Sequence, residues 1–129
     1  MNVVVLLFFL FVVCIALVYA QESVGTDSTS NVIVLTGDTF EHDTQASTGA
    51  TTGDWFIKFY APWCGHCKKM NPAWEEVATR LQGRVNVASV DVTAHRSLGT
   101  RFDIKGFPTL LFLRHGKVYK FKGRRTADD

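Results

Sequence analysis

The residues best suited to chemistry are two cysteines with two residues between them. Cys64 and Cys67 flank Gly65 and His66, a spacing that lets one sulfur reach the other. Such a pair can open and close a small disulfide, or it can supply half of a zinc site. A purely structural disulfide is disfavoured, because closing so short a loop removes little chain entropy.

Zinc binding would require ligands beyond Cys64 and Cys67. Structural zinc sites use four protein ligands, and the third cysteine, Cys14, lies in an apolar leader. No two histidines have the spacing of three to five residues that is typical of a zinc ligand pair. The histidines concerned are His42, His66, His95 and His115. Redox chemistry is therefore the favoured interpretation, and no metal site is expected.

The segments on either side predict how the cysteines are positioned. Trp55–Tyr60 alternates apolar residues as a buried strand does, and Cys64–Leu81 repeats them at helical spacing. Pro72 lies inside that helix and is expected to kink it. Cys64 would then begin a helix, where backbone N–H groups and the helix dipole favour an anion and lower the pKa of the thiol.

The thiolate is the attacking species in thiol–disulfide exchange, so Cys64 is predicted to be the nucleophile. Cys67, one turn further on and less exposed, is predicted to resolve the mixed disulfide. His66 is expected to stabilise the Cys64 thiolate as a cation or hydrogen-bond donor. The alternative for His66 is a surface histidine with no role.

The remaining segments predict alternating strands and helices followed by a hairpin. They are a strand at Val32–Leu35, a turn into a short helix at Gly37–Phe40, a loop at Ser47–Gly53, a strand at Val85–Val90, a short helix at Ser97–Phe102, and hairpin strands at Thr109–Leu113 and Lys117–Phe121. Arg114-His115-Gly116 connects the hairpin strands. This order predicts an α/β fold with a mixed sheet and helices packed on it.

The leader predicts the compartment. Met1–Ala20 contains 19 apolar residues and no charged side chain, which indicates a signal peptide cut after Ala20. Its length also fits an uncleaved membrane anchor. Gln21–Asn31 is polar and is predicted to be a flexible lead-in, which leaves residues 32–129 as one domain. The secretory pathway, where disulfides form and persist, is the expected location.

Charge and length exclude several classes of protein. A chain of 129 residues with net charge +2 is too short for several domains and has no second long apolar run of the kind found in polytopic membrane proteins. Basic residues are concentrated after Trp55, and those in Arg114–Arg125 fit solvated hairpin positions better than a nucleic-acid patch. No nucleic-acid partner is expected, and no membrane contact is expected unless the leader stays uncleaved or a downstream anchor exists.

Three segments resemble the protein disulfide isomerase family. Phe59–Lys68 (FYAPWCGHCK) is similar to its active-site segment, Gly106–Thr109 to its substrate loop, and Gly123–Thr126 to its closing segment. The resemblance covers about residues 31–129. It implies a thioredoxin-like fold, in which helices flank a central mixed sheet. It also implies that the protein is located in the lumen of the endoplasmic reticulum.

The resemblance also implies how substrate is held. Pro108 would follow a cis peptide bond and face the cysteines, while Trp63 and Phe107 would offer apolar surface to unfolded clients. Core packing is the alternative for each aromatic ring. The Gly65-His66 pair between the cysteines resembles that of the oxidising and isomerising members of the family. A group that stabilises the reduced thiolate makes the disulfide a better oxidant.

Three positions depart from the family pattern. The family usually has a buried acid at position 58, paired with a lysine at position 89, and here these are Lys58 and Ser89. Lys58 would either be buried with a lowered pKa or extend to the surface. While protonated it cannot accept the proton of Cys67, so we expect water or another group to do so. Lys105 replaces an arginine that modulates the second cysteine, and an ordinary solvated lysine is the alternative.

The chain is also expected to lack the final helix of the family, because it stops a few residues after Thr126, which would cap that helix. An uncovered sheet face would weaken stability or favour association. We expect a truncated copy of a longer protein.

The expected function is a thiol–disulfide oxidoreductase or isomerase that acts on unfolded or disulfide-containing secretory proteins through the redox pair Cys64–Cys67. It would need no bound cofactor, and glutathione or a protein oxidase would be its electron partner. The alternatives are a dithiol reductase, or a client-binding chaperone module whose catalysis is impaired.

Overall fold

The computed structural model describes residues 2–7, 10, 29–50 and 52–123. In chain order its domain contains β1 (Ile33–Val34), α1 (Phe40–Thr44), β2 (Trp55–Tyr60), α2 (Gly65–Leu81), β3 (Asn86–Asp91), α3 (Arg96–Arg101), β4 (Thr109–Arg114) and β5 (Lys117–Lys120). Every strand lies within one residue of its predicted bounds. The short helix expected after Gly37 begins at Phe40.

The five strands form one mixed sheet in the order β1-β3-β2-β4-β5. β1, β3 and β2 run parallel, whereas β4 and β5 are antiparallel to their neighbours. β2 therefore lies at the centre, with hydrogen-bonding neighbours on both sides. Its register places Lys58 opposite Ser89 of β3 and opposite Leu110 of β4, so the two positions that hold the acid and the lysine in the family pattern are direct cross-strand neighbours.

Alternation along β2 divides the core into two layers. Trp55, Ile57 and Phe59 face a cluster that includes Phe40 of α1 and Leu98 of α3. The opposite face packs against α2 through a second cluster. That cluster is built on Met70, Trp74, Ala78, Val87 and Leu110. Helices therefore cover both faces of the sheet, as the sequence predicted.

The β4–β5 hairpin turns through two residues. His115 and Gly116 have φ of 50° and 73°, the left-handed conformation at both central positions that matches the twist of antiparallel strands. A Cβ on Gly116 would lie 2.7 Å from the Cα of Gly49. Glycine is therefore required there both for its backbone conformation and for the close approach of the loop before β2.

Several predictions concern the ends of the chain. Residues 3–7 are helical and exposed, and among the described residues no helix is long and apolar enough to cross a membrane. The cleavage site at Ala20, the end of the closing segment from Arg124 and the place of the expected final helix lie outside the described residues. At the domain's beginning, the Ser30 hydroxyl donates to both carboxylate oxygens of Glu75 at 2.8 Å.

Candidate active site

Cys64 caps the N-terminus of α2. It follows the turn after β2, where its own N–H donates to the Ala61 carbonyl at 3.1 Å, and its backbone is extended rather than helical. The backbone N–H of Cys67 donates to the Cys64 sulfur at 3.3 Å. Cys64 therefore precedes the helix rather than forming its first residue, and its sulfur accepts a hydrogen bond from the first turn, as a capping side chain does.

Both cysteines are buried thiols in a small cluster with Ala61, against which Tyr60 and Phe107 pack. Cys67 is 2% exposed and Cys64 is 7% exposed, so the predicted difference in accessibility is present but small. Burial raises the pKa of the Cys67 thiol, and the hydrogen bond with Cys64 raises it further. A backbone hydrogen bond with Ala61 and the charge of Lys58 oppose that increase in pKa.

Gly65 and His66 lie on the exposed side of the first helical turn. A Cβ on Gly65 would meet no atom within 4 Å, so the space around this position does not demand glycine. The site therefore leaves both intervening residues open to solvent or substrate rather than using them to pack the cysteines.

The loop before β4 lies against the cysteine cluster. The Phe107–Pro108 peptide bond is cis, as the resemblance implied, and the Thr109 hydroxyl closes the loop by donating to the Gly106 carbonyl at 2.7 Å. Pro108 is buried, whereas Phe107 is half-buried. Beside this loop lies a groove of about 270 Å³ whose lining includes Phe107, Pro108, Lys120 and Phe121.

Trp63 is 71% exposed immediately before Cys64, so core packing is excluded for this ring. Its indole meets Phe107 edge to face, with 5.8 Å between the ring centroids. The turn after β2 and the loop before β4 thus place two aromatic rings at the mouth of the site. An exposed indole beside a half-buried phenyl ring can contact an apolar segment of another protein.

Lys58 is buried rather than extended to the surface. The residue is 5% exposed, and its ammonium donates to Oδ1 of Asn71 at 2.7 Å. The same ammonium lies 5.4 Å from the centroid of the Tyr60 ring and 5.8 Å from that of Trp74. Burial lowers the pKa of Lys58, while the charges of Cys67 and Glu75 raise it.

Asn71 is a site residue that sequence reasoning missed. It lies four residues after Cys67, which places the two residues one turn apart along the same side of α2. The signal that the sequence offers is this spacing, together with Lys58 on the strand before α2.

The described contacts of Lys105 do not include either Cys64 or Cys67. Its side chain is exposed, and its ammonium pairs with Asp103 at 2.7 Å, which raises the pKa of Lys105. Within the described part of the chain, no group of three or more His, Cys, Asp or Glu residues could hold a metal ion.

Comparison with known proteins gives consistent relatives. The sequence profile described as Thioredoxin matches residues 31–129. A "Thioredoxin domain-containing protein" of Theileria parva is 57% identical over 100 residues, covering 77% of this chain and 46% of that protein. "Protein disulfide-isomerase A6" of Mus musculus is 38% identical over 109 residues, covering 81% of this chain and 24% of that protein.

A solved structure agrees with the sequence matches. The first thioredoxin domain of mouse "Protein disulfide-isomerase A4" is 33% identical with a TM-score of 0.66, covering 77% of this chain and 69% of that chain. This chain thus spans less than half the length of the two curated relatives. The thioredoxin-like fold expected from the resemblance, a central mixed sheet flanked by helices, is confirmed, and the sheet has five strands.

Proposed function

This chain belongs to the thioredoxin family, and from that premise we propose that it forms and rearranges disulfides in client proteins of the secretory pathway. Relatives named protein disulfide-isomerase support thiol–disulfide oxidoreduction as the underlying chemistry. The observation that carries the proposal is the pair itself: Cys64 caps α2 and accepts the N–H of Cys67. Two sulfurs held together at the start of a helix can form and open a disulfide.

The oxidising reaction proceeds in two exchanges. A client thiolate attacks Sγ of Cys64 in the Cys64–Cys67 disulfide, a client–Cys64 bond forms, and Cys67 leaves as a thiolate that takes a proton. A second client thiolate then attacks the client sulfur of the mixed disulfide and releases the Cys64 thiolate. The client loses two electrons to the pair, and glutathione disulfide or a protein oxidase takes them up when the pair is reoxidised.

Rearrangement uses the same atoms without net electron transfer. The Cys64 thiolate attacks a client disulfide and frees one client sulfur as a thiolate. That thiolate, or another, attacks a different bond of the client and finally displaces Cys64. If no rearrangement occurs, Cys67 attacks Cys64, forms the intramolecular disulfide and releases the client with both its sulfurs reduced.

Aromatic residues near the cysteines also support the proposal that this face binds client proteins. Phe107 packs on the cysteine cluster and meets Trp63 edge to face, and the groove beside Pro108 is lined in part by the same Phe107. An extended segment of an unfolded protein could therefore lie across these rings. The apolar leader supports delivery to the lumen of the endoplasmic reticulum, where such clients acquire disulfides.

A refolding assay tests the proposal. The full chain with Cys64→Ser is compared with wild type in the reactivation of a scrambled disulfide-containing protein in glutathione buffer. We expect turnover to fall to the uncatalysed rate, because the sulfur that attacks clients and forms the mixed disulfide is lost while Cys67 stays buried. Cys67→Ser should instead trap mixed disulfides between Cys64 and the client, visible as species that disappear on reduction.

The outcomes also separate the alternatives. Equal reactivation with and without Cys64 would exclude the enzyme. Loss of turnover with retained binding of an unfolded client assigns catalysis to the cysteine pair, whereas client binding without turnover in wild type would favour a chaperone module. Equilibration with glutathione buffers distinguishes an oxidant from a dithiol reductase, because the reductase remains oxidised at a lower ratio of glutathione disulfide to glutathione.

A further inference from the structure

A positive charge lies buried behind the second cysteine. Lys58 is 5% exposed in the central strand, and its strand neighbours, Ser89 and Leu110, carry no charge. The cation is instead bounded by the rings of Tyr60 and Trp74 at 5.4 and 5.8 Å. Burial of a cation is costly unless it is paired and hydrogen-bonded, so its field acts most strongly on an ionisable group close by.

The nearest elements place that group at Cys67. Asn71, which accepts from Lys58 at 2.7 Å, follows Cys67 by four residues on α2, and residues so spaced have Cβ atoms about 5–6 Å apart on a helix surface. Trp74 is a further turn along, and Tyr60 packs on the cluster that contains Cys67. Lys58 therefore extends beneath α2 to a point bounded by neighbours of the Cys67 sulfur.

The other ionisable groups around Lys58 come from α2, β2 and β3. Glu75 of α2 and Cys67 itself both stabilise the charged lysine. Tyr60 of β2 has a raised pKa, because burial disfavours its phenolate and the charges of Asp91 of β3 and of Cys67 do so further. Among these groups Cys67 is the one whose charge changes during the proposed reaction.

We propose that Lys58, held by Asn71, supplies the positive charge that stabilises the Cys67 thiolate when this sulfur leaves or attacks. When a client thiolate opens the Cys64–Cys67 disulfide, Cys67 departs carrying the electron pair of the broken bond beside the lysine cation. When Cys67 resolves a mixed disulfide, the same cation favours the thiolate that attacks Cys64. Lys58 acts on the reacting sulfur through space, and Asn71 is the positioning residue.

This role rests on the proposed function but is tested without a client. In the full chain carrying Cys64→Ser, alkylation of Cys67 by iodoacetamide is followed across pH by peptide mass spectrometry, which separates Cys67 from Cys14. We expect Lys58→Met to raise the midpoint pH of alkylation by about one unit, a tenfold smaller thiolate population below the midpoint. Asn71→Ala should raise it less, since the charge remains but is no longer held.

Two variants control for loss of charge elsewhere and for altered packing. Lys69→Met removes the same charge from the exposed side of α2, where solvent and salt screen it, so its midpoint should stay within about 0.3 pH units of the parent. Lys58→Arg keeps a cation at the buried position and should restore most of the shift. A structural role alone would slow alkylation at every pH without moving the midpoint.

The proposal is overturned if Lys58→Met leaves the midpoint unmoved, if Lys69→Met moves it equally, or if Lys58→Arg behaves as Lys58→Met does. Should Lys58→Met fail to unfold cooperatively, Asn71→Ala at its exposed position decides, and an unmoved midpoint there rejects the role of Asn71 and Lys58. Failure of the enzyme proposal has a different signature, because Cys64→Ser would then leave client turnover intact whatever the titration of Cys67.

Discussion

At the scale of single residues, the site combines two buried thiols with a buried cation. The sequence predicts that Cys64 attacks and Cys67 resolves, but it does not determine whether Lys58 is buried or exposed. The register of β2 determines the burial of Lys58, because it directs the side chain under α2. There the Lys58 ammonium donates a hydrogen bond to Oδ1 of Asn71 at 2.7 Å. Local sequence could not determine that contact, since it depends on how a strand and a helix pack against each other.

Burial of Lys58 predicts a measurable effect on stability. Lys58→Met places an apolar side chain in the same space and should raise the free energy of unfolding at pH 7 by roughly 1 kcal/mol. The pKa of Lys58 is lowered in the folded state, so the unfolded chain binds more protons between the lowered and the ordinary lysine pKa. Wild-type stability therefore recovers as pH rises through that window, and the advantage of the variant shrinks.

Urea unfolding at pH 7 and pH 10 measures this difference, with Lys69→Met as the exposed control. A variant that is equally destabilised at both pH values would contradict the prediction. A variant that is more stable yet has a less ionised Cys67 would indicate that the protein keeps its lysine for chemistry at the expense of stability.

At the scale of elements, periodicity and turn residues are sufficient to locate the strands and helices but not to locate the residues at which they begin and end. α2 was expected to include Cys64, and α3 to begin at Ser97, yet the structure begins them at Gly65 and Arg96. Capping explains the first difference, because the sulfur of Cys64 accepts an N–H from inside the helix. Contacts of that kind are set by three-dimensional position and leave no periodic signal.

Replacing each of two glycines by alanine should change stability by very different amounts. Gly116→Ala should lower the free energy of unfolding by about 2 kcal/mol, because its φ of 73° disfavours a side chain and a Cβ would lie 2.7 Å from Gly49. Gly65→Ala should change it by no more than about 0.5 kcal/mol, since open space surrounds that position. Chemical denaturation of both variants measures the contrast, and similar losses would show that the turn is not specific to glycine.

At the scale of the whole molecule, the mixed sheet was predictable, whereas the strand order was not. The motifs on either side of the cysteines indicated β2, α2 and the hairpin, but only tertiary pairing brings β4 beside β2. That pairing carries the loop of Phe107 and Pro108 to the cysteines, which precede it by at least forty residues in the sequence. The Trp63–Phe107 contact is therefore a product of topology.

Loss of either ring in the Trp63–Phe107 contact should weaken the binding of client proteins. Trp63→Ala and Phe107→Ala are each expected to raise KM for an unfolded client several-fold, because an apolar contact at the site is lost. The loss in kcat/KM should be larger for the client than for glutathione disulfide, which is too small to span both rings. Steady-state kinetics with the two substrates measures the ratio, with Tyr119→Ala as an exposed aromatic control on β5. Equal losses for both substrates would argue against a client surface.

The distribution of tryptophans also gives the protein an intrinsic optical reporter. Of its three indoles, Trp55 is 4% and Trp74 is 2% exposed, whereas Trp63 is 71% exposed next to Cys64. Iodide should therefore quench the fluorescence of a single tryptophan, and the red-edge emission should report the surroundings of the cysteines. Docking of a peptide or a change in the sulfurs could thus be followed in real time without attaching a dye.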